Sequence, residues 1–80
     1  MKLSTQLALI AEFEAVVIPL ETVAEKYFNQ SKRNAYANAN RQAYPFKVFR
    51  LGDQKSPWLV HVSDLADYID KTREKSAQEH

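Results

Sequence analysis

Cysteine is absent from this 80-residue chain and glycine occurs once. The first absence excludes disulfides and thiolate-bound metals and suits a reducing compartment. The second leaves no glycine-rich loop to cradle a phosphate. Histidine occurs only as His61 and the terminal His80, with no partner at metal-ligand spacing. No serine has a histidine–acid constellation around it, and Glu12 and Glu14, two apart, face different sides of a helix. The sequence therefore predicts no catalysis, no cofactor and no metal. Long apolar runs are also missing. The opening "MKLSTQLALIAEFEAVVIPL" is interrupted by its glutamates, so neither a signal peptide nor a membrane span is expected.

What is present is the composition of a folded globule, with 45% apolar and 11% aromatic residues. The length suits a single domain over 1–80, with a core over 17–70, an N-terminal helix over 1–16 and a tail over 71–80. Net charge is only +1, yet it is unevenly spread. Residues 29–60 carry Lys32, Arg33, Arg41, Lys47, Arg50 and Lys55 against Asp53 alone, while the segments on both sides are acidic on balance. A cationic middle third is the pattern of a surface that meets a polyanion; taken singly, each of these residues reads as a solvated charge.

"STQLALIAEF" places Leu7, Ile10 and Ala11 at helical spacing and predicts a first helix over about residues 4–14. "AVVIPL" is β-branched and stopped by Pro19, which then sits at the entrance of a helix. In "LETVAEKYF", Leu20, Val23, Ala24, Tyr27 and Phe28 make one broad apolar stripe. Asn29 follows, a residue that tolerates the left-handed conformation of a helix end, and Ser31 is a good N-cap for a further helix. Two helices joined by so short a turn have helix-turn-helix spacing. "YPFKVFRLGDQKSPWLVHV" reads as two strands, Phe46–Leu51 and Trp58–Val62, around a polar loop. "SDLADYIDKTRE" reads as a closing helix capped by Ser63, with Leu65, Tyr68, Ile69 and Thr72 inward.

The second helix of the pair, "SKRNAYANANRQ", has no large aliphatic residue. At 100° per residue, Ala35, Ala39 and Gln42 share one side, while Arg33, Tyr36, Ala37 and Asn40 share the other, flanked by Lys32 and Arg41. A helix that buries only alanines packs close to its neighbour and leaves its outer face clear. Arginine, asparagine and tyrosine there match guanine, adenine, phosphate and the thymine methyl, and Ala37 keeps the rod slim enough for a major groove. The expected base readers are Arg33, Tyr36, Ala37 and Asn40. Phosphates fall to Ser31 at the helix start, to Lys32 and Arg41, and to Lys47, Arg50 and Lys55 on the hairpin. The fold class expected is α+β, mostly α, a small winged helix-turn-helix with an extra N-terminal helix.

"VIPLETVAEKYF" followed by "FRLGDQKSPWLVHVSDLADYID" resembles the pyocin activator (PrtN-like) family, small phage- and bacteriocin-linked transcription activators. More loosely, the layout is similar to excisionase and MerR-type winged helix-turn-helix proteins, although "QAYPFKV" lacks the glycine common there in excisionases. The resemblance implies double-stranded DNA as partner, bound through the second helix and wing, and cytoplasmic action. A chain this small makes few base contacts, so a homo-oligomer or cooperative array is expected, together with RNA polymerase or an integrase as a further partner. Two rival functions remain open. One is an excisionase-like factor that bends attachment-site DNA. The other is a protein-binding module of the anti-repressor kind, which would show no salt-dependent duplex binding.

Overall fold

The computed structural model describes residues 3–78. The element order is α1 (Leu3–Phe13), β1 (Val17–Pro19), α2 (Leu20–Phe28), α3 (Lys32–Asn40), β2 (Leu59–His61) and α4 (Val62–Gln78). β1 and β2 pair antiparallel, with Val17 opposite His61, Ile18 opposite Val60 and Pro19 opposite Leu59. On the other edge of β2, Phe49 and Leu59 exchange both backbone hydrogen bonds, at 3.0 and 2.7 Å. Both polar backbone groups of Leu59 are thus spent on Phe49, so Pro19, which has no N–H, sits opposite without leaving a donor unmet. β2 lies in the middle of a miniature sheet, with β1 on one side and the wing on the other. This is a mostly helical α+β fold with a winged helix-turn-helix arrangement.

The core is assembled from every element. Ile18, Leu20, Val23, Val60, Val62 and Leu65 are fully buried, joined by Leu9, Ala24, Ala35, Ala39, Phe46 and Ala66. Each large aliphatic among them contributes about 1.5–3 kcal/mol by leaving water. A second packing unit is aromatic. Phe28, Tyr44, Phe46 and Tyr68 form a continuous set of ring contacts with centroids 5.3–6.3 Å apart. This cluster accounts for the first departure from the strand expected over Phe46–Leu51. Phe46 turns inward to join Phe28, so the segment stays irregular and only Phe49 reaches the ladder.

The turn between α2 and α3 follows its sequence signals. Asn29 has φ 53° and ψ 42°, and the Gln30 N–H donates to the Ala24 carbonyl at 3.1 Å. Ser31 Oγ accepts from the Asn34 N–H at 3.2 Å, and the Ser31 carbonyl accepts from the Ala35 N–H at 2.9 Å. At α4 the expected cap is displaced. The helix begins at Val62, directly after β2, and His61 does the capping. Its Nδ1 accepts from the Ser63 N–H at 3.0 Å, and the Ser63 hydroxyl lies 2.8 Å from the same nitrogen. With no loop between strand and helix, Ser63 is already inside the first turn. Leu65 is buried on the inner stripe, Tyr68 and Ile69 are half-buried, and Thr72 is exposed.

α1 is held by polar contacts at two points. Thr5 Oγ1 donates to Asp70 Oδ1 of α4 at 2.7 Å. At the other end Glu12 pairs with Lys26 and accepts from the Tyr27 hydroxyl at 3.0 Å, while Phe13 meets Tyr27 edge-on. The Lys26 and Tyr27 hydrogen bonds hold the Glu12 carboxyl below its ordinary value. Partial burial and the neighbouring carboxylate push the Tyr27 hydroxyl up to about 12. The apolar face of α1 is Leu9, Ile10 and Phe13, whereas Leu7 and Ala11 are exposed. The stripe is therefore rotated from the expected Leu7–Ile10–Ala11 phase, because Leu9 enters the core.

Candidate nucleic-acid interface

α3 buries Ala35 and Ala39 and no other residue. Ala24 of α2 is likewise fully buried, and α2 and α3 pack against each other. Lys32, Arg33, Ala37, Asn40 and Arg41 are exposed, as expected of an outward face. Gln42, expected inward, is exposed with φ 55°, because α3 ends at Asn40 and the chain turns there.

Tyr36 is less exposed than the other residues expected on the outer face of this helix. It is half-buried, packs against the core, and its hydroxyl accepts the Trp58 backbone N–H in a long contact of 3.4 Å. It stands on the flank of the outer face and links α3 to the residue that leads into β2. Lys32 Nζ lies 5.5 Å from the Tyr36 ring centroid, and Arg41 Nη2 donates to Asn38 Oδ1 at 2.6 Å. Both contacts orient cations along α3 at little electrostatic cost, since neither partner carries negative charge. Ser31 is exposed, with its hydroxyl oxygen engaged as the cap.

The wing runs between Phe49 and Leu59. Lys47 and Lys55 are exposed, while Arg50 is half-buried with its guanidinium 4.2 Å from the Trp58 ring centroid. Arg50 is thus a preset cation rather than a mobile one, and Trp58 is the surface that sets it. Sequence reasoning places Trp58 at the start of a strand and misses this role; an arginine facing an aromatic across a loop was the available signal. The tip is closed by Asp53, whose carboxylate accepts the Lys55 N–H at 2.9 Å and whose carbonyl accepts the Ser56 N–H at 3.1 Å. Asp53 is the lone acid of residues 29–60. Gly52 has φ 122°, and a Cβ there would meet Ser56 Oγ at 2.6 Å, so only glycine fits this turn.

Among the described residues no group of acids and histidines could hold a metal, and no helix is long and apolar enough to cross a membrane. The sequence pattern of the family described as pyocin activator protein PrtN matches residues 5–76. The chain belongs to the pyocin activator family. That membership points to a phage- or bacteriocin-linked transcriptional activator. The pyocin activator match begins within α1 and ends within α4, so the N-terminal helix is part of the family's pattern and not an appendage to it. No curated protein and no solved structure matches the chain.

Proposed function

We propose that this pyocin activator family member is a sequence-specific double-stranded DNA-binding protein that activates transcription by binding, without catalysis. In this reading α3 enters the major groove. Arg33, Ala37 and Asn40 meet base edges, with Tyr36 at the margin. Ser31, Lys32 and Arg41 hold phosphates beside the groove, and Lys47, Arg50 and Lys55 hold them along the wing. The observation that carries the reading is the face of α3. Its buried side is two alanines, and its opposite side presents Arg33, Ala37 and Asn40 to solvent. A helix with that section fits between two phosphate backbones, and the cations around it supply sequence-independent attraction. The Tyr36–Trp58 contact supports a wing that lies alongside α3, so that both can engage one duplex.

The small surface supports two or more copies on repeated or symmetric half-sites, acting where DNA and RNA polymerase are found. The test is titration with duplex at two salt concentrations. Affinity should fall steeply as salt rises. Asn40→Ala should lower discrimination between a selected site and random duplex by about 1–3 kcal/mol. Lys55→Ala should weaken all duplexes alike and reduce the salt slope by about one. If duplex binding is absent or indifferent to salt, the anti-repressor reading takes its place.

A further inference from the structure

Leu51 is the most exposed of the large apolar residues among those described, at 67%, and it stands on the wing. The residues after it, Gly52, Asp53, Gln54 and Lys55, offer no apolar partner within the loop tip. An isolated surface leucine is ordinarily of no consequence. This one differs in its mounting. It follows Arg50, held against Trp58, and precedes Gly52, where only glycine fits. The turn beyond is closed by the two Asp53 hydrogen bonds. The apolar side chain is therefore carried on a braced support, bracketed by Arg50 and Lys55. The one nearby acid, Asp53, accepts the Lys55 backbone N–H with its carboxylate.

We propose that Leu51 is a minor-groove wedge: it inserts against or between base pairs at the wing and kinks the duplex, while Arg50 and Lys55 take the flanking phosphates. The proposal rests on the DNA-binding reading above and adds a source of specificity to it. Apolar wedges of this kind unstack one base step and bend the duplex away from the protein's minor-groove contact. Steps that unstack easily, TA and CA/TG, should then be preferred at the wing position, although no side chain hydrogen-bonds to their edges. Leu51 would read deformability, and α3 would read base edges.

The experiment uses the full chain and a 30-base-pair duplex, about three turns, enriched from a randomised pool by the wild-type protein. The duplex carries a fluorophore at each end for energy transfer, and 2-aminopurine at the step under the wing. Wild type should bend the duplex by about 20–90° and raise the 2-aminopurine signal. Leu51→Ala, a change at an exposed position, should still bind with salt-dependent affinity but retain less than about half of the bend and show no rise in signal. If wild type binds without bending, or Leu51→Ala bends as wild type does, the wedge is overturned and the DNA-binding reading stands. If wild type binds no duplex even at low salt, the DNA-binding reading itself fails, and the wedge with it.

Discussion

Ala35→Leu tests whether α3 is held by a close alanine contact. Ala35 has no solvent exposure, and the neighbouring Ala39 and Ala24 are equally enclosed. Leucine adds three carbons at a position with no exposed surface, on the helix that packs against α2. The gain from burying them requires α3 to move outward, and forced overpacking of this kind costs about 1–3 kcal/mol. An 80-residue domain has roughly 4–12 kcal/mol of stability in total. At about 4–8 °C per kcal/mol, the variant should melt roughly 5–20 °C below wild type. Ala37→Leu makes the same chemical change on the exposed face, and its melting temperature should stay within the range of ordinary surface changes, about 0.5 kcal/mol. If α3 enters the major groove as proposed, its duplex affinity should fall about tenfold, because the added bulk would displace at least one base contact. Thermal denaturation followed by circular dichroism, with parallel duplex titration, reads both. If Ala35→Leu melts within about 2 °C of wild type, or Ala37→Leu loses as much stability as Ala35→Leu, the inner and outer faces of α3 are misassigned.

Replacing His61 by Ala removes the acceptor for the Ser63 N–H and should cost about 0.5–2 kcal/mol in urea denaturation. His61→Asn, whose Oδ1 occupies the place of Nδ1, should restore most of it; no rescue would mean that capping is not the role of His61. Tyr27 gives a pH dependence at the alkaline end. Its hydroxyl is raised in the folded chain from 10.0 to about 12, so the unfolded state ionises first. Stability is then fully present below about pH 10 and lost as pH rises toward 12. Tyr27→Phe should flatten the fall of melting temperature over that window, and an unchanged slope would contradict the raised Tyr27 hydroxyl that burial, with the Glu12 hydrogen bond beside it, produces. Glu12 works in the opposite direction. Its lowered value gives stability present above about pH 4.5 and lost as pH falls, a loss that Glu12→Gln should diminish.

The parts of the fold legible in the sequence are those where one local signal has one meaning. Asn29 and Ser31 mark the two sides of the turn, Pro19 marks the entry of α2, and a helix without large aliphatic residues buries only what it has. Alternation failed where aromatics occupied both phases. Phe46, Val48 and Phe49 all suit a strand, and only the cluster of Phe28, Tyr44 and Tyr68, distant in sequence, decides that Phe46 leaves it. Tyr36 and Arg50 were legible as residues but not in their orientation. Each meets Trp58, and a contact across the chain is invisible to a helical wheel. Ser63 and His61 both have capping chemistry, so the choice falls to strand pairing, which carries His61 opposite Val17 and starts α4 at once. The phase of α1 depends on Leu9 finding the core, and no local feature announces that.

The pairing of β1 with β2 has a consequence for biosynthesis. Everything that would face DNA, from Ser31 to Lys55, lies between these two strands, so its geometry is closed by residues translated after it. While a ribosome still holds the segment from Leu59 onward, α3 has no wing beside it and the sheet has no centre. Non-local pairing of this kind makes assembly late and concerted. On the proposed DNA-binding function, an interrupted nascent chain would emerge without a competent surface, and a truncated product ending before β2 should not compete with the finished protein for duplex.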